Sequence, residues 1–203
     1  SNYLASIADP IFLSIENDQL INSLEAWIGL LAFSLQIYFD FSGYTDMAIG
    51  LAYCLGFRLP INFNSPYKSK SIKDFWGNWH ITLSRFLKYH IYFPLGGNRK
   101  GNFFQYRNIF FTMLIGGIWH GASWNFVLWG AYHGSLIILE KVLNKVISFN
   151  KSFLFNKYVV FMLVTIGWVP FRCQSVSSSS LMFKSLFSFN FSNLPLDSIN
   201  FIL

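Results

Sequence analysis

Apolar residues in this chain come in long blocks rather than in alternation, which points to helices. Residues 1–22 mix polar and apolar positions and hold no convincing membrane span. From Ser23 to Phe39 the run is almost unbroken apart from Glu25 and Gln36. The polar stretch Asp40-Phe41-Ser42-Gly43-Tyr44-Thr45-Asp46 predicts a turn, after which Met47 to Phe57 is apolar again. Ile109–Trp119, Trp124–Leu139 and Tyr158–Phe171 add three more blocks. The pattern therefore predicts five membrane segments, some shorter than the roughly 20 residues of a full span. Ile72 to Leu95 differs, because Phe75, Trp76, Trp79, Phe86, Tyr89 and Tyr92 are interleaved with charges. Such a stretch suits an amphipathic or re-entrant segment with Trp and Tyr at headgroup depth. The turn Pro94–Gly101 that follows is glycine-rich but lacks Walker spacing, so a phosphate cradle is disfavoured.

Composition names the solvent. Of the 203 residues 53% are hydrophobic, 20% aromatic and only 12% charged; a soluble domain carries about twice that charge. Lipid is the expected environment and multi-pass insertion the expected topology. The two cysteines, Cys54 and Cys173, are far apart in apolar sequence, which suits neither a disulfide framework nor a zinc site. The chain begins at Ser1 and ends on an apolar segment, so it reads as a partial membrane domain over residues 1–203, cut from something longer. Nine of the 15 Lys+Arg lie between Arg58 and Arg107, against the single acid Asp74. By the positive-inside rule residues 58–107 form a cytoplasmic, basic and interfacial segment. The bias serves topology alone or also draws an anionic donor or lipid headgroup, for which Arg99 and Lys100 are candidates. No nucleic-acid partner is expected.

The four histidines are the candidates for chemistry. With Arg107 at the cytoplasmic surface, a helix over Ile109–Trp119 rises roughly 16 Å at about 1.5 Å per residue, towards the middle of a hydrocarbon core about 30 Å thick. That places His120 at mid-membrane, where Gly116, Gly117 and Gly121 are expected to loosen the helix before Ser123-Trp124-Asn125 resumes it. Broken helices at such depth line cavities or are buried in protein. Trp119 and Trp124 are expected to wall His120, and burial favours the neutral imidazole that accepts a proton from a hydroxyl. His80, between Trp79 and Ile81, is placed to orient substrate or complete a relay, or is an interfacial histidine bonded to backbone. His90 reads as structural. His133 lies too far along its helix to share a metal with His120, and no metal is expected. No Gly-x-Ser-x-Gly elbow occurs, and Ser175–Ser180 is a low-complexity serine tract, so a serine hydrolase is disfavoured. Asp40 and Asp46 either line an ion path or cap helices.

Several ordered motifs together resemble the membrane-bound O-acyltransferase family, in the bacterial branch that includes the membrane subunit for alginate O-acetylation. They are Gln36–Gly50, Asn62-Phe63-Asn64-Ser65-Pro66-Tyr67, Phe75-Trp76 with Trp79-His80, Pro94–Gly101, and Gly117-Ile118-Trp119-His120-Gly121-Ala122-Ser123-Trp124-Asn125. The resemblance spans about Gln36 to Arg172. It implies that His120 is catalytic and His80 important; Trp76, Trp79, Trp119, Trp124 and Asn125 are the candidates to line a substrate tunnel. Relatives often carry two arginines between the tryptophans, where this chain has Gly77-Asn78.

The expected fold is all-α, a polytopic transmembrane helical protein with re-entrant or interfacial helices around a central tunnel. The expected activity moves an acyl group, acetyl by the resemblance, from a cytoplasmic thioester such as acetyl-CoA to a hydroxyl of an extracytoplasmic polysaccharide or envelope glycan. No bound cofactor is expected. A lipid bilayer, here the bacterial cytoplasmic (inner) membrane, and an extracytoplasmic SGNH-type acetyltransferase are the partners the resemblance implies. The competing reading is an ion- or proton-coupled transporter or channel subunit running through Asp40, Asp46 and His120, against which no inverted repeat is visible.

Overall fold

The computed structural model describes residues 2–146 and 156–188, and every regular element among them is helical. The first helix, α1 (Asn2–Glu16), buries Ala8, Phe12 and Ile15. It packs on α2 (Ser23–Cys54), where Phe12 meets Phe33 edge to face at 5.8 Å. The stretch expected to hold no span is thus helical and docked, though at 15 residues it is only about 22 Å long.

The polar stretch 40–46 makes no turn. Helix α2 runs through it unbroken for 32 residues, opened by a capping box between Asn22 and Glu25. Polarity alone does not stop a helix. No proline lies there, Thr45 Oγ1 donates back to the Ser42 carbonyl at 3.0 Å, and Gly43 costs only about 1 kcal/mol against alanine. Two of the five expected segments are therefore one helix. The others fall on α5 (Asn102–His120), α6 (Trp124–Val146) and α7 (Lys157–Arg172). Among the described residues only α2 and α6 are long and apolar enough to cross a membrane.

Between α2 and α5 lies the aromatic, basic segment. It folds as a 3-10 turn (Pro66–Lys68), α3 (Ile72–Asn78), α4 (Ile81–Leu87) and a π turn (Lys88–Tyr92). Ser71 caps α3 by accepting from the Asp74 N–H. A second cap comes from 67 or more residues away: the Glu140 carboxylate of α6 accepts from the N–H groups of Ile72 at 3.1 Å and Lys73 at 3.0 Å. The last helix among the described residues, α8 (Val176–Phe187), starts on a capping box between Ser175 and Ser178, which gives the serine tract a structural role.

Helices α5 and α6 pack backbone to backbone. A Cβ on Gly117 would lie 2.2 Å from the Phe126 carbonyl oxygen, and one on Gly130 would lie 2.5 Å from that of Met113. Gly116 and Gly117 therefore do not loosen α5, which stays helical to His120. The small size of Gly117 admits α6, as small residues do at close crossings, while Gly116 faces the Leu87 side chain of α4. The core alongside is aromatic. Trp79 sits among Tyr38, Phe63, Tyr67, Phe75 and Trp168. The Tyr67 hydroxyl donates to the Ser34 carbonyl at 2.6 Å and accepts from Trp168 Nε1 at 3.2 Å, which ties α2 and α7 through the 3-10 turn.

Candidate active site

His80 stands at the junction of α3 and α4 with φ 42° and ψ 59°, a left-handed backbone that few residues other than glycine adopt. Such a conformation costs about 1–3 kcal/mol and persists only where its surroundings over-determine it. Here segment 62–64 supplies the constraint. The Asn64 N–H donates to the Asn78 carbonyl and the Ile81 N–H to the Asn62 carbonyl, both at 3.0 Å, bracketing His80 on either side. Phe41 of α2 meets the imidazole edge to face at 4.8 Å. Nδ1 lies 3.4 Å from Asn62 Oδ1. Burial holds this imidazole below its ordinary pKa, so the neutral form is favoured.

His120 is the last residue of α5, where Gly121 ends the helix in an extended conformation. Its ring is half-buried among aromatics: Trp119 and Trp129 at 5.1 Å, Phe171 at 5.2 Å and Phe126 at 6.1 Å. No described residue hydrogen-bonds to its side chain, which leaves both nitrogens open to a substrate. His80 lies within electrostatic reach of it. Two histidines forty positions apart, on separate elements, are thus electrostatically coupled.

A cavity of about 840 Å³ opens on the other side of the same aromatic layer. Its floor includes Trp76, Leu87, Ile109 and Met113, and its rim carries Lys73, Lys88, Lys141 and Lys145. Trp76 abuts Trp129 at 5.6 Å, and Trp129 abuts His120. From the cavity floor to the histidine is therefore two ring contacts.

The other sequence candidates fall as follows. Trp76 lines the cavity, whereas Trp79 is buried in the aromatic core beside His80 and lines nothing open. Trp119 touches His120 but is 62% exposed, and Trp124 is 74% exposed with no ring contact to His120 among the described residues. The tryptophans that touch His120 are thus Trp119, as expected, and Trp129. Its signal was present as the spacing Asn125, Trp129, His133, four apart and so on one helical face. Asn125 is buried but is a fastener: its amide donates to the Cys173 carbonyl at 2.7 Å and its oxygen accepts from Ser179 at 3.3 Å. Arg99 and Lys100 sit exposed on the turn next to Asn98, outside the cavity lining, whose charged residues are the four lysines and the buried Glu140. His133 is wholly buried between Trp76 and Trp129. His90 is exposed on the π turn against Phe86. Asp40 and Asp46 are exposed on the middle of α2 and contact neither histidine among the described residues.

Comparison with known proteins assigns the chain a family. Residues 4–180 match MBOAT, the membrane-bound O-acyltransferase family. The chain is 45% identical over 186 residues to Probable alginate O-acetylase AlgI of Pseudomonas putida, covering 92% of this chain and 38% of that protein. It is 43% identical over 173 residues to the peptidoglycan O-acetyltransferase of Helicobacter pylori, covering 84% of this chain and 33% of that protein. With the teichoic acid D-alanyltransferase of Bacillus subtilis the identity is 34% over 131 residues, 61% of this chain and 32% of that protein. The chain thus spans about a third of the length of these relatives. On a match that runs through both histidines and most of the sequence, the chain belongs to the membrane-bound O-acyltransferase family.

Proposed function

We propose that the whole protein is a polytopic membrane acyltransferase of the bacterial cytoplasmic membrane, and that these residues hold its reacting centre. One arrangement carries the reading: His120, within electrostatic reach of His80, touches Trp129, which in turn abuts Trp76 on the wall of a lysine-lined cavity. An anionic thioester donor such as acetyl-CoA suits that rim, since Lys73, Lys88, Lys141 and Lys145 attract phosphates. The acyl arm would pass the apolar floor to His120. There the neutral imidazole takes the proton of an attacking hydroxyl, the oxygen adds to the thioester carbonyl, and the carbon–sulfur bond breaks. The thiolate recovers the proton from the imidazolium, so the histidine is unchanged at the end. The acceptor hydroxyl would lie on an extracytoplasmic glycan, in line with the alginate and peptidoglycan of the relatives' names, with an SGNH-type acetyltransferase completing delivery.

Acetyl transfer by purified full-length protein in liposomes, with radiolabelled acetyl-CoA outside the face bearing residues 58–107, tests this. Label reaching a glycan acceptor supports it. Ion or proton flux without acyl transfer would replace it with the transporter reading.

A further inference from the structure

Resting on that reading, we propose that Asn62 is a positioning residue that holds His80 in the tautomer protonated at Nδ1, so that Nε2 offers a bare lone pair to the reacting region. The chemistry is settled by a third residue. Asn62 Oδ1 also lies 3.2 Å from the Thr82 N–H and 2.7 Å from Thr82 Oγ1. A backbone N–H can only donate, so the side-chain atom facing it is the oxygen of Asn62 and not its NH₂. That oxygen can only accept. The His80 nitrogen 3.4 Å away must therefore carry the hydrogen, and the opposite ring nitrogen carries none. At 3.4 Å the bond is long, but it acts on a ring already fixed from other sides. The backbone is bracketed by Asn62 and Asn64, and Phe41 covers one edge of the imidazole.

The consequence for the reaction is specific. A histidine locked in this form is a proton acceptor towards substrate and cannot donate from Nε2 until it has itself been protonated. His80 then accepts a hydrogen bond from the attacking hydroxyl, or takes a proton in relay with His120, and does not act as an electrophile on the thioester carbonyl. His120 is the titratable group facing it among the described residues. Asn62, Thr82 and Phe41 are its other neighbours, and none of them ionises.

Three variants and one spectrum in the full-length protein separate this from a merely structural role. Asn62→Leu removes the acceptor and should lower kcat at least tenfold with little change in donor KM. Thr82→Val deletes the hydroxyl bond to the same oxygen but leaves His80 its partner, and should stay within about twofold of the parent. If Asn62 only anchored the start of α4, the two variants would behave alike. Asn62→Asp keeps the acceptor and adds charge beside His80. It should keep activity at high pH and move the acid limb of kcat upward by about one pH unit. Nitrogen-15 spectra of selectively labelled His80 should show protonated Nδ1 and unprotonated Nε2, whether or not acyl transfer is found. The opposite tautomer, a fully active folded Asn62→Leu, or an unmoved acid limb in active Asn62→Asp would each overturn the assignment. An Nδ1–H tautomer without acyl transfer would instead sink the acyltransferase reading alone.

Discussion

His120 and His80 ask for different substitutions. Replacing His120 with Gln keeps approximate size and some hydrogen bonding but removes the proton-accepting nitrogen. His120→Gln in the full-length protein should purify and unfold like the parent while acyl transfer falls by about 10²–10⁴-fold, the usual worth of a positioned acid–base group. A packing role would show the reverse, poor yield with residual activity. His80→Ala should cost a similar factor, and here the backbone matters too, because a left-handed alanine is no easier to hold than a left-handed histidine. Since burial depresses the His80 pKa, its neutral form persists below the ordinary imidazole range. Activity should therefore fade only as pH drops through that lowered value, and the parent pH profile checks this. Both histidines stand in Trp-His contexts that the sequence displays. Trp124, beside the motif, is 74% exposed and makes no ring contact with His120 among the described residues, whereas Trp129, which does, belongs to no motif.

At the level of elements the sequence was a good guide to helices and a poor one to their ends. The polar run through Asp40 and Asp46 looked like a turn because polarity and periodicity were weighed without asking what would break the backbone. The Glu140 cap on α3 was invisible, since nothing local links α6 to a seven-residue helix far upstream. The glycines were seen but given the wrong duty, as flexibility instead of close approach. Two substitutions separate these duties. Gly117→Ala drives a Cβ to 2.2 Å from a backbone oxygen, and such overpacking should destabilise by about 1–3 kcal/mol. Gly43→Ala, on α2 with nothing within 4 Å of its Cβ, should be neutral or stabilising by up to about 1 kcal/mol. Thermal unfolding in detergent reads both. Equal effects would remove the helix-contact account of Gly117.

For the whole molecule, composition points to lipid as the solvent, and the charge bias predicts an orientation. Residues 62–74 are expected on the cytoplasmic side, and Lys70 is the place to ask. It is exposed, whereas its neighbour Ser69 is 4% exposed and accepts from the Asn78 amide. A cysteine at Lys70, in a background without Cys54 and Cys173, should escape an impermeant thiol reagent in intact cells and react after lysis. Reaction in intact cells would invert the topology.

The backbone-on-backbone seam between α5 and α6 also has a bearing on traffic. Two helices touching through Gly117 and Gly130 leave no compressible side-chain layer between them, so they move as one strut. No passage to His120 can open by prising them apart without losing that contact. What separates the cavity floor from the histidine is Trp76 and Trp129, whose indole N–H groups are buried and tied to no hydrogen-bond partner among the described residues. Between the cavity and His120 there thus stand two indole rings held by packing alone, beside a seam of bare backbone.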